Sequence, residues 1–98
     1  MKTFIIDGNH FSDLEGFFCE IDSLLTKDLD WKTGHNLNAF NDILRGGFGV
    51  HEYEESITLR WVNYQKSKSD LGEQMMLKII ERILDYNDSG HYCHLELY

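Results

Sequence analysis

Three short β-rich stretches are set apart by helical periodicity, and no hairpin signal lies between any two of them. That arrangement limits the possible folds more than any other feature. Strands joined through helices cannot pair across a tight turn, and a long crossover brings the next strand in parallel. Thr3 to Asp7 is the first stretch, closed by the turn formers Asp7-Gly8-Asn9. Ser56 to Trp61 is the second: Ile57, Leu59 and Trp61 alternate with Ser56, Thr58 and Arg60, which predicts one covered face. Tyr92 to Tyr98 is the third, with Cys93, Leu95 and Leu97 on one side.

The intervening segments read as helices. Leu14, Phe17, Phe18, Ile21, Leu24 and Leu25 recur at helical intervals, and this helix ends near Lys27. Ser12-Asp13-Leu14-Glu15 before it has capping-box spacing, with Ser12 as N-cap and Glu15 at N3. Gly16 inside it lowers helix stability by about 1 kcal/mol relative to Ala, with no sequence reason. A second helix follows the loop from Asp30 to His35, with Gly34 permitting the turn and Asn36 placed as its N-cap. Gly46 and Gly47 stand where a C′ residue must take positive φ. Gly47 to Glu55, glycine-rich and then acidic, reads as a surface loop.

After the second strand, Val62 to Lys68 predicts a short turn or helix. Asp70-Leu71-Gly72-Glu73 offers another capping box, with Asp70 in the cap position. It opens a long helix whose Met76, Ile79, Ile80, Ile83 and Leu84 share a face, with Met75 beside the same core stripe. Asp88-Ser89-Gly90 ends it. The expectation is an α/β fold, a single domain over residues 1–98, with a small parallel sheet. Its order is strand, helix, helix, strand, short helix, long helix, strand.

Ninety-eight residues with 42% apolar content suit one modest core, since a domain this size buries roughly 60–68% of its unfolded surface. Nine Lys and Arg against seventeen Asp and Glu, a formal charge of −8, cannot build a phosphate-tracking patch. Direct binding to nucleic acid or an anionic membrane is therefore not expected. The same surplus aids solubility and draws in a basic protein. Met1 to Gly8 lacks the apolar run of a signal peptide, and nothing approaches the roughly 20 apolar residues of a membrane span. The expected location is cytoplasmic, with Cys19 and Cys93 reduced and packed as small hydrophobes.

On a wheel, the second helix divides into an apolar stripe of Leu37, Ala39, Phe40, Ile43 and Leu44 and a polar face of Asn38, Asn41, Asp42 and Arg45. Such a face, beside Trp31 in the loop, can dock onto a partner. Arg45 lies one turn from Asp42 and can pair with it, an exposed pair worth about 0–1 kcal/mol. His91 and Cys93 face one way on a strand and His94 the other, and no companion pair has ligand spacing, so no metal site is expected. No nucleophile elbow, phosphate loop or apolar-set carboxylate pair is present. Neither enzymatic activity nor a cofactor is expected.

Gly34-His35-Asn36-Leu37-Asn38-Ala39-Phe40-Asn41-Asp42 resembles the Gly-x-Asn-Leu-Asp-Ala-Leu-x-Asp signature of the barstar family, intracellular inhibitors of ribonuclease. Leu59-Arg60-Trp61, Tyr64 and Ser67-Lys68 resemble later family segments, and the element order agrees from end to end. The resemblance implies a three-stranded parallel sheet with about four helices. It also implies stoichiometric blocking of a ribonuclease active site by the second helix and the loop before it. Asp42 matches the carboxylate that enters the phosphate-binding pocket, while Gly34, Asn36, Leu37 and Ala39 match positions that shape the loop and seat the helix. Trp31, Lys32 and Thr33 fall among the family's loop contacts.

The chain departs from the family pattern at several places. Asn38 stands in place of a second aspartate, Asn41 in place of a large apolar residue, and Arg82, beside Glu81, in place of an interfacial glutamate. The segment from Gly46 to Glu55 is longer than its counterpart. The partner-binding residues expected are thus Trp31, Lys32, Thr33, Gly34, His35, Asn38, Asn41, Asp42, Arg45 and Gly46. The partner expected is a basic ribonuclease or related toxin, bound by a monomer, with Glu52, Glu54 and Glu55 steering its approach. The competing expectation is a barstar-like interaction module whose partner is not a ribonuclease, or one that has lost inhibition.

Overall fold

The computed structural model describes residues 2–26, 36–45, 56–84 and 93–98, with Asn41 and Arg45 described as backbone alone. In chain order the elements are β1 (Lys2–Asp7), a 3-10 turn (Gly8–His10), α1 (Leu14–Leu25), α2 (Leu37–Arg45), β2 (Ile57–Val62), α3 (Tyr64–Leu71), α4 (Glu73–Ile83) and β3 (Cys93–Leu97). The three strands form one parallel sheet in the order β1-β2-β3. The α/β class and the parallel pairing are as the helix-separated strand pattern predicts.

Strand order explains why the sheet is covered from one side. Both crossovers move one place in the same direction, so two crossovers of the same hand put their helices on the same face. Burial agrees with this. The registers Phe4↔Leu59↔Leu95 and Lys2↔Ile57↔Cys93 stack side chains on the helix-covered face, where Ile57, Leu59 and Trp61 are fully buried. The alternate register Ile5↔Arg60↔Glu96 lies on the other face, with Ile5 49% exposed and Arg60 Nε donating to Glu96 Oε1 at 2.7 Å. Thr58 on that face is nonetheless buried, so the expectation of one covered face holds for its neighbours and not for Thr58. On the edge strand β3 the apolar alternation is buried at Cys93, half-buried at Leu95 and exposed at Leu97.

The core is aromatic at its centre. Phe17 lies flat against Trp61, ring centroids 5.3 Å apart, and Phe11 meets both rings edge-on. Trp61 Nε1 donates to Ser67 Oγ at 3.0 Å, so the indole N–H keeps a partner inside the core. Ile79 and Ile83 of α4 and Ile21 and Leu25 of α1 close the cluster.

Helix starts depart from the sequence expectation in two places. Asp13, not Ser12, caps α1: its extended backbone precedes Leu14, and its Oδ1 accepts from Gly16 N at 2.7 Å. A carboxylate at the cap also favours the positive end of the helix dipole, which a hydroxyl does less well. A Cβ built on Gly16 would come 2.8 Å from Phe11 Cβ and 3.0 Å from the capping oxygen. Close approach of the Phe11 turn is therefore the reason for a glycine whose propensity argues against it.

The second correction concerns Asp70, which does not cap α4. The segment expected to be a turn or short helix continues as α3 through Leu71, placing Asp70 inside it, where it accepts from Lys66 Nζ at 2.6 Å. Gly72 separates the two helices at φ +87 and ψ 153, a conformation open essentially to glycine alone. Lys66 Nζ also donates to the carbonyls of Gly8 and Phe11, at 3.2 and 3.0 Å, tying α3 to the turn after β1. On α4, Met76, Ile79 and Ile83 are buried as expected, but Leu84, past the last helical turn, is 44% exposed. Cys93 is buried, whereas Cys19 is exposed on α1 and not packed as expected. The first falls on a strand facing the core, the second on the outer face of an amphipathic helix.

Candidate functional site

The helix α2 begins where its sequence says it should. Asn36 Oδ1 accepts from Ala39 N at 2.8 Å, and the Asn36 carbonyl accepts from Phe40 N at 3.0 Å. An asparagine in this place pairs one of the donors that every helix leaves orphaned in its first turn. The apolar stripe turns inward: Phe40 and Leu44 are fully buried, Ile43 nearly so, and Leu37 and Ala39 are half-buried. Phe40 drives its ring edge-on into Phe17, centroids 5.5 Å apart. The helix packs against both α1 and α4.

Asn38 and Asp42 are left on the outside, both exposed. They are four residues apart, so their Cβ atoms stand about 5–6 Å from each other on one helical face. One is a carboxylate that only accepts hydrogen bonds; the other is a carboxamide that both donates and accepts. Each sits on a short side chain, so little rotamer entropy is lost if the face is covered. The surface these residues offer suits a group of cations and N–H donors.

Among the other expected site residues, Asn41 and Arg45 belong to α2 as backbone positions. Trp31, Lys32, Thr33, Gly34, His35 and Gly46 lie outside the described residues, as do the acidic segment Glu52 to Glu55 and His91. On the neighbouring α4, Glu81 is exposed and Arg82 half-buried. What the sequence reading missed here is the anchor. Phe40 reads as one member of an apolar stripe, and nothing local marks Phe17, distant in the chain, as the ring it meets, or Trp61 as the ring stacked on Phe17.

Among the described residues, a separate polar cluster joins the end of β1 to α1. His10 Nδ1 lies 2.9 Å from Glu20 Oε2, and His10 Nε2 lies 3.5 Å from Asp7 Oδ2. Glu20 Oε2 also accepts from Asp7 N at 3.0 Å, so this group ties the end of β1 to α1. His94 is exposed while its neighbour Cys93 points into the core. Among the described residues, no three His, Cys, Asp or Glu side chains converge to hold a metal ion, and no helix is long and apolar enough to cross a membrane.

Comparison with protein families gives a match over residues 1–97 to the family described as Barstar (barnase inhibitor). No curated protein matches the chain significantly.

Proposed function

The chain belongs to the barstar family, and from that premise we propose that it is an intracellular inhibitor that closes a ribonuclease active site with α2 and the segment before it. The family consists of inhibitors, not enzymes, and its partner is a ribonuclease. Asp42 occupies the place of a substrate phosphate. A ribonuclease cleft concentrates cations and N–H donors around a phosphodiester, and charge-assisted bonds to a carboxylate satisfy the same groups. Asn38 meets the rim of the cleft by hydrogen bonds. Trp31, Lys32, Thr33, Gly34, His35, Asn41, Arg45 and Gly46 complete the contact surface.

The observation that supports this reading is the contrast along α2. Asp42 is exposed on the same short helix whose Phe40, Ile43 and Leu44 are rooted in the core. A carboxylate presented from a buried stem is already ordered before it meets its target, which limits the entropy lost on binding. The net charge of −8 adds long-range attraction for a basic enzyme.

The test is affinity capture on the immobilised domain, followed by a cleavage assay on the captured protein with increasing inhibitor. The expected result is a basic ribonuclease whose activity falls linearly to zero at equimolar inhibitor. Capture of a protein without ribonuclease activity would instead establish the competing reading, an interaction module with a different partner. The exposed carboxamide of Asn38, where the family pattern carries a second carboxylate, is the residue that favours that alternative.

A further inference from the structure

We draw no further inference here: the strongest candidate, the shallow groove between α3 and α4 floored by Tyr64, Met76, Leu77 and Ile80, has the ion pair of Lys68 and Glu73 at its rim and nothing in the structure shows what covers its apolar floor.

Discussion

Phe40 meets Phe17 edge-on, with ring centroids 5.5 Å apart and ring planes inclined at 75°. Phe17 in turn stacks on Trp61 at 10°. This relay joins the helix carrying Asp42 to the central strand of the sheet, through residues widely separated in the chain. None of the three rings has freedom to spare, because all of them are fully buried. The stiffness of the proposed contact face is therefore a property of the core.

Replacing Phe40 by Ala removes a fully buried ring. The expected loss is about 3–5 kcal/mol, from transfer of the ring and the cavity it leaves. Against a total of roughly 5–15 kcal/mol for a domain, that is a large fraction. Urea unfolding measures it directly. A loss below about 1 kcal/mol would mean that α2 is not held through this ring.

Asp42 and Asn38 separate charge from position on the same face. For a bound ribonuclease, Asp42→Ala should remove roughly 1.5–3 kcal/mol of binding, about ten- to hundred-fold in Kd, because a charge-assisted bond is lost. Asn38→Ala should remove about 0.5–1.5 kcal/mol, the range of a neutral bond. Both residues are exposed, so thermal unfolding should change little in either variant. Kd values from titration calorimetry decide the matter, and two silent substitutions would displace the contact face from this side of α2.

Acid should weaken the fold through Asp7. The Asn9 backbone N–H, and after it the Asn63 side-chain amide, donate to Asp7 Oδ1, each at 2.9 Å, and hold its pKa below the ordinary 3.8. A carboxyl with a depressed folded pKa contributes stability above its unfolded value, and that contribution disappears as pH falls through the folded value. Asp7→Asn removes the titration. The stability difference between the two proteins should be largest at neutral pH and shrink once pH drops below 3.8. Denaturant titrations across that range check it; a difference constant with pH would refute the assignment.

Thiol labelling should distinguish the two cysteines. Burial pushes the Cys93 thiol up to about 12, whereas Cys19 is exposed on α1. The thiolate is the reacting form, so access and ionisation act together against Cys93. Iodoacetamide at mildly alkaline pH should modify Cys19 in the native protein and Cys93 only in denaturant, as read by mass spectrometry of peptides. Native labelling of Cys93 would show that β3 is not stably packed.

Local pattern determined the element order, the inward stripe of α2 and the parallel pairing. Those features follow from periodicity and from the lack of turn chemistry between strands, which a chain carries in any environment. The Asn36 cap was equally legible, since its partner is three residues away. Spacing did not choose between Ser12 and Asp13, adjacent residues that both cap well by type, and only the folded backbone shows Asp13 Oδ1 accepting from Gly16 N. The tertiary structure also drew Asp70 into α3 beside Lys66, whose ammonium bridges to a turn more than fifty residues earlier. The same is true of the Phe40–Phe17–Trp61 relay. Long-range packing chooses among local options of nearly equal free energy, and sequence spacing cannot rank such options.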